Sequence, residues 1–393
     1  MITRLRVRNF KSLHDIDLTL GSLNILVGPN MGGKSNILDV FRFLQEICFP
    51  GGGTDGVFFA LANRMGAQEV RWKGGEESLI SIAMEGHEEI LHIGDWKYEI
   101  EILLGLGNFA GIQRESLSFS AEGGFKNLIR TEGPHRWLLN RDGKQLGMVG
   151  TESRSSLQNS NEAWDGHAFV KLIQSWRFHQ LIPREMKQLN QLSGGQVEVL
   201  GVRGQNLSAW LLVLQTRFPD SFNKIVHAVR DNLPGVQGIR TWPTKEGTVH
   251  LASDEIGLKS PINVWQMSDG ELAFVALLSL IYTPLEIGSA LICIEEPENH
   301  LHPRLLAALW PLLRQVREGL KSSGTGLAQV IVTTQSPQVV DQARLDEIVW
   351  VSKSNGETTA SHPSNQENLL RLVKDHEMGL SDIVYTGLLD EPI

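Results

Sequence analysis

Residues 28–35 read Gly-Pro-Asn-Met-Gly-Gly-Lys-Ser, which fits G-x-x-x-x-G-K-[ST] at every fixed position. The apolar run 23–27 before them has the look of a short buried strand. After them, Ile37, Val40, Phe41, Leu44 and Ile47 recur at the spacing of an amphipathic helix over 36–49. Strand, glycine loop and helix in that order is the context this motif requires. Glycines let backbone N–H groups close around phosphate oxygens, and the following helix turns its positive dipole end toward them. The spacing therefore predicts a nucleotide site built from Gly28, Asn30, Gly32, Gly33, Lys34, Ser35 and Asn36. In it Lys34 reaches the β- and γ-phosphates and the Ser35 hydroxyl ligates Mg²⁺. The bland alternative is a glycine-rich turn, and the flanking elements argue against it.

A second feature lies far along the chain. Ala290-Leu291-Ile292-Cys293-Ile294 is an apolar strand that ends in Glu295-Glu296-Pro297-Glu298. Paired acids at the end of a buried strand are costly unless they hold a cation or do proton work. Beside a phosphate loop, Glu295 is expected to hold the metal, and Glu296 to orient and polarise the attacking water. Further on, residues 330–333 read as another buried strand, and Gln335 follows where it can hydrogen-bond a phosphate or that water. His300 and His302 have no third or fourth ligand nearby in sequence, so a histidine metal site is not expected.

Two segments compete for a serine-glycine anion cap. Leu192-Ser193-Gly194-Gly195-Gln196 spells a transporter-type signature letter for letter, but a strand-like stretch follows it, so it reads as a turn. Met267-Ser268-Asp269-Gly270-Glu271 is looser. Yet Ser268 stands before a long apolar helix with Glu271 three residues on, which makes a capping box. From Ser268 to Glu295 is 27 residues, room for one helix and a turn. The expected cap is therefore Ser268, Asp269, Gly270 and Glu271.

The C-terminal third alternates in type. Helices are expected over 270–282 and 303–320, with strands over 290–294, 330–333 and 348–352, which argues for an α/β sheet with parallel strands. Residues 68–120 read as a meander of antiparallel strands, and 121–165 as a polar, turn-rich insertion with few anchors. Residues 209–229 read as helical, and the tail after 354 as polar, then weakly helical from 368. The expected divisions are 1–120, a lobe with the phosphate loop and meander; 121–240, an insertion and helical lobe; and 241–393, the part with cap, acids and Gln335.

Composition excludes several classes. Apolar residues are 41% and charged residues 21%, so wholesale disorder is out. The net charge of −9 excludes a globally basic nucleic-acid coat. Arg4, Arg6 and Arg8 with Lys11 still offer DNA a local basic strand, whose ordinary meaning is a solvated outer face. Cys48 and Cys293 sit far apart among apolar neighbours, which excludes a disulfide scaffold. The first residues lack an apolar signal core, and no apolar run reaches the ~20 residues of a membrane span, so a soluble cytoplasmic protein without a membrane partner is expected. Trp164, Trp176, Trp210 and Trp310 are expected as core or interface anchors.

Taken as an ordered set, these segments resemble the RecF/SMC/OLD-like branch of ABC ATPases, and closely the small ATPases of the AAA_21 type. The carriers are Asn9-Phe10-Lys11-Ser12, residues 28–36, Gly204-Gln205-Asn206-Leu207, Ser268-Asp269-Gly270, Glu295 to Glu298 with Leu301-His302-Pro303, and residues 333–337. The resemblance implies a P-loop NTPase fold, a two-lobed ABC head that dimerises around ATP and Mg²⁺. It also implies a nucleotide contact from Lys11 or Ser12. Three departures stand out. Met31-Gly32 replaces the usual small polar pair. Gln335 stands where many relatives have a switch histidine, and glutamine cannot carry a proton at pH 7, so slow hydrolysis is expected. Finally, long coiled-coil arms and the C-terminal TOPRIM nuclease domain of OLD-type proteins have no counterpart here. A nuclease effector is therefore expected in trans, in antiphage defence or DNA repair. The alternative is a slow nucleotide switch that sequesters or releases such a partner. The literal signature also raises a membrane-transporter subunit, which its placement disfavours.

Overall fold

The computed structural model describes residues 1–89, 91–105, 110–132, 135–149, 152–158, 160–191, 199–322, 329–363 and 379–385. Along the chain come β1 (Ile2–Phe10), β2 (Leu13–Thr19), β3 (Leu23–Val27), α1 (Lys34–Cys48), α2 (Gly56–Ala62), α3 (Ala67–Val70) and β4 (Leu79–Glu88). Next are β5 (Gly94–Leu104), β6 (Ala110–Ala121), β7 (Gly124–Glu132), β8 (His135–Leu139), β9 (Gln145–Val149) and α4 (His167–Gln174). Then follow β10 (Arg177–His179), α5 (Pro183–Met186), β11 (Asn190–Gln191), α6 (Leu207–Arg217), α7 (Pro219–Asn232), β12 (Val236–Pro243), β13 (Thr248–Glu255) and β14 (Ile262–Asn263). The last stretch holds α8 (Asp269–Ile281), β15 (Leu291–Glu295), α9 (Pro303–Ser322), β16 (Gln329–Thr334), α10 (Pro337–Gln342), β17 (Ile348–Ser354), β18 (Glu357–Ser361) and α11 (Leu380–Tyr385). The chain forms two compact units. One comprises Met1–Trp176, Ala328–Ile331 and Arg344–Gln366; the other comprises Arg177–Leu327, Val332–Ala343 and Glu367–Ile393.

In the first unit an antiparallel sheet runs in the order β2-β1-β4-β5-β6-β7-β8-β9. The alternation in β1 decides which face is buried: Leu5 and Val7 are fully buried, while Arg6 and Arg8 are exposed. The arginine face is not a bare cationic strip. Arg4 pairs with Asp17, Arg6 with Glu85 and Arg8 with Asp15 across neighbouring strands, which removes most of the field a DNA backbone would feel.

Residues 121–165, expected as a loosely anchored insertion, instead carry β7, β8 and β9 of this same sheet. The anchors are polar, so hydropathy does not register them. Glu115 on β6 is fully buried and accepts hydrogen bonds from Tyr98, Arg136, Ser155 and the Ser156 backbone. A buried carboxylate paired and bonded at both oxygens is tolerable where an unpaired one is not. Trp164 adds an indole N–H to the Leu139 carbonyl.

The same unit holds the strands that carry the phosphate loop. All five residues of β3 are buried. β17 lies parallel to it, with Ile348 opposite Ile25, and β18 pairs antiparallel with β17. The start of β16 joins here through the Val330 amide and the Ser22 carbonyl. β18 lies within the tail that reads as merely polar; Thr358 within it is buried.

In the second unit β10 pairs parallel with β15, placing Phe178 beside Cys293 and His179 beside Ile294. The end of β16 meets the end of β15, where the Glu296 amide donates to the Thr333 carbonyl. A smaller antiparallel sheet runs β11-β13-β12, with β14 on β13. It shares a core with α6, α7 and α8, built on Trp210, Leu211, Leu214, Ile225, Phe274 and Leu278. The single helix expected over 209–229 is two, α6 and α7, because Pro219 has no amide hydrogen and forces Phe218 out of the helical region. Trp164, Trp176, Trp210 and Trp310 are all buried. Among the described residues, no helix is long and apolar enough to cross a membrane.

Candidate functional site

The phosphate loop leaves β3 at Gly28 and enters α1 at Lys34. Two of its glycines are dictated by neighbours. A Cβ on Gly28 would lie 1.8 Å from the Val351 carbonyl oxygen on β17. A Cβ on Gly33 would lie 2.1 Å from Thr358 Oγ1 on β18, and Gly33 also sits at φ +105°. Met31 is left-handed at φ +61° with its side chain almost wholly in solvent. Lys34 is buried, and its ammonium donates to the carbonyls of Gly28 (2.7 Å) and Pro29 (2.9 Å). Gly33 caps α1 with backbone only, having no side chain to accept from the first helical amides. A lysine charge and uncapped helix amides converging on a loop no side chain can fill is a donor set suited to a phosphate chain.

Lys11 and Ser12 sit beside this loop. Lys11 is left-handed at φ +50°, and its ammonium lies 2.6 Å from Asp39 on α1. Asp39 is shared with Arg64, whose guanidinium also reaches Glu46. Burial pushes the Asp39 carboxyl up, but Arg64 and Lys11 outweigh it and hold the group below the usual aspartate range. Ser12 accepts from the Asn36 amide at 2.7 Å and lies 2.7 Å from Thr358 Oγ1. Thr358 gives its one hydroxyl hydrogen to the Gly32 carbonyl at 3.0 Å, so Ser12 is the donor to Thr358. Lys11, Ser12, Asn36, Trp72, Lys353 and Gly356 line an open cleft of about 420 Å³. Thr358 is a residue that sequence reasoning missed. It is a lone threonine in a polar tail, 326 positions from the loop it props, and no local pattern marks it.

The acids belong to the second unit. Glu295 ends β15, half-buried. Glu296 is left-handed at φ +46°, an uncommon state for a non-glycine residue. Its side chain is held at both oxygens: Gln335 Nε2 donates to Oε1 at 3.0 Å and Asn299 Nδ2 to Oε2 at 2.9 Å. Glu298 lies just behind, and burial raises its carboxyl above the usual range. Its Oε1 accepts the Thr334 hydroxyl at 2.6 Å and the Gln335 amide at 3.3 Å. Gln335 therefore meets Glu296, and Asn299 joins them.

The cap segment is in the same unit. The Glu271 amide donates to Ser268 Oγ at 3.2 Å, and the Ser268 amide to Glu271 Oε2 at 2.7 Å, a complete capping box at the start of α8. Lys187 holds Asp269 at 2.7 Å. Gly270 packs on the turn after the acids, where a Cβ would lie 3.1 Å from the His300 carbonyl. The competing segment, 192–196, lies outside the described residues. Asn206 stands just before α6, and its side chain takes the Gly201 amide on Oδ1 while donating to the Val199 carbonyl.

Comparison with known proteins agrees with this frame. The family AAA_21, described as "AAA domain, putative AbiEii toxin, Type IV TA system", matches residues 138–341. That span holds Ser268, the acids and Gln335, but not the phosphate loop. A segment of 38 residues is 58% identical to an OLD nuclease from Thermus scotoductus, which is 10% of this chain and 7% of that protein. In fold, the chain is similar to an SMC head crystallised with the C-terminal winged-helix domain of ScpA. The TM-score is 0.56 at 16% identity, over 93% of this chain and 99% of that one. It is also similar to an SMC head with an extended coiled coil from Pyrococcus furiosus, bound to the C-terminal domain of ScpA. There the TM-score is 0.54 at 14% identity, over 96% and 99%. The fold is that of a P-loop NTPase head of the ABC type, and the chain belongs to the AAA_21 family.

Proposed function

We propose that this chain binds ATP with magnesium and hydrolyses it, as a head that pairs with a second copy around the nucleotide. The observation that carries the reading is the phosphate loop, whose shape is enforced by Val351 and Thr358 and into which Lys34 brings its ammonium. Lys34, the loop amides and Asn36 bind the phosphates, with Lys11 and Ser12 at the flank. Ser35 and Glu295 hold the magnesium, a hard cation that takes few protein oxygens when phosphates supply the rest. Magnesium bound there would supply positive charge against the phosphates. Glu296 orients the attacking water and accepts its proton density; Gln335 fixes the direction in which that carboxylate points. Ser268, Asp269, Gly270 and Glu271 of a second copy present a helix start to the γ-phosphate.

Glu296→Gln keeps the shape of the side chain and removes the base. With ATP it is expected to accumulate as a dimer or higher oligomer when mass is measured in solution. An unchanged monomer mass with ATP bound overturns the sandwich.

In the cell, the reading is antiphage defence or DNA repair with a nuclease effector in trans. The short likeness to an OLD nuclease supports that context. Gln335 favours a second reading, a slow switch that holds or releases its effector. A steady-state rate far below about 1 s⁻¹ supports the switch, and a faster one the motor.

A further inference from the structure

Glu296 is aimed by a chain of contacts that begins one step behind it. Gln335 is the first residue after β16, and a strand end does not by itself fix a long side chain. Glu298 supplies the fixing. A single oxygen, Oε1, takes both the Thr334 hydroxyl at 2.6 Å and the Gln335 backbone amide at 3.3 Å. The Thr334 hydroxyl in turn accepts the Ser336 amide at 2.9 Å. Three consecutive residues at the end of β16 are thus tied to one carboxylate. Gln335 Nε2 then lies 3.0 Å from Glu296 Oε1, with Asn299 Nδ2 at 2.9 Å on the other oxygen. Glu298 Oε2 is buried and has no partner among the described residues. A buried acid with an orphan oxygen costs stability, and such a group persists where its other oxygen does something the fold needs.

We propose that Glu298 is a positioning residue for hydrolysis: it fixes the end of β16 so that Gln335 holds the Glu296 carboxylate in the direction of the attacking water. It acts through its contacts with Thr334 and Gln335. The inference rests on the hydrolytic reading above, in which Glu296 is the base.

The role is one of geometry, so an acceptor of the same shape suffices. Glu298→Gln retains a carbonyl oxygen for Thr334 and Gln335 and is expected to keep kcat within about threefold of the parent chain. Glu298→Ala is expected to lower kcat about ten- to a hundredfold with KM for ATP within about threefold. Because Glu298 acts through Gln335, adding Glu298→Ala to Gln335→Ala is expected to cost nothing further. A double variant slower by the product of the two single effects overturns the proposal. So does a Glu298→Gln variant as slow as Glu298→Ala. A crystal structure of Glu298→Ala gives a readout that does not depend on turnover. Gln335 Nε2 displaced from Glu296 Oε1 supports the proposal, and the contact kept at its present distance overturns it. If the parent chain and Glu296→Gln both turn over no ATP, the hydrolytic reading fails; the structure of the variant still decides whether Glu298 positions Gln335.

Discussion

His179 on β10 is 2% exposed; its Nδ1 lies 3.3 Å from the Gly201 carbonyl, and Nε2 has no partner among the described residues. The hydrogen therefore sits on Nδ1. Burial lowers its pKa from 6.5 to about 4, the Gly201 carbonyl pulls it partly back, and Arg177 lowers it further. The unfolded chain binds this proton more readily than the folded one. Its stability contribution is thus whole above pH 6.5 and falls as pH drops toward 4. Between pH 7.5 and pH 5 the loss is about 2 kcal/mol from this residue. Denaturant unfolding at the two pH values, in the parent and in His179→Gln, measures it. The pH dependence is expected to shrink by about that amount in the variant, and an identical dependence in both refutes it. This signature was not legible in the sequence. A lone histidine looks the same whether water reaches it or not, and only the packing of β10 decides. Lys34 is the opposite case, since its neighbours along the chain already mark it as a candidate phosphate ligand.

Among the elements, α8 shows how a local pattern survives into tertiary structure. Ser268 and Glu271 are three residues apart, close enough for chain geometry alone to bring them together, and both bonds of the capping box form. Ser268→Ala is expected to cost about 1 kcal/mol of stability, read as a lower midpoint in urea. In the proposed function it also weakens ATP-driven pairing by removing a hydroxyl from the second copy's γ-phosphate. A variant that loses pairing with no loss of stability places Ser268 outside the helix cap. The elements that read less clearly are those held by distant partners. β7, β8 and β9 carry polar sequence and short turns, yet Arg136 and two serines converge on Glu115 and make that region part of the sheet. β18 was hidden in the same way: its buried residue is Thr358, whose worth lies in a glycine carbonyl on the far side of the sequence.

For the molecule as a whole, ligand binding to the folded state alone must raise its stability by mass action. In the proposed function, ATP at about a hundred times its dissociation constant is expected to add about 2.7 kcal/mol, a shift of several degrees in the thermal midpoint. Lys34→Ala, which removes the ammonium bonded to the Gly28 and Pro29 carbonyls, is expected to abolish that shift. A full shift in Lys34→Ala places the nucleotide somewhere other than the phosphate loop. The paired arginines of β1 belong to this scale too. With Asp17, Glu85 and Asp15 opposite them, they contribute little long-range field to a chain already at −9.

The sequence by itself determined what is short-range or periodic. That includes the phosphate loop between a strand and a helix, the capping box, and the apolar strand ending in acids. Each is written in residues within a few positions of one another, where covalent geometry and hydrophobic period leave little choice. Only the tertiary structure decided which polar side chains are buried and whom they meet: Glu115 with Arg136, Thr358 with Gly32, Glu298 with the end of β16, His179 with Gly201. The reason is physical. Hydrogen bonds and ion pairs are directional and act over about 3 Å, so their partners are set by how the chain folds back on itself, and no local pattern of residues encodes that.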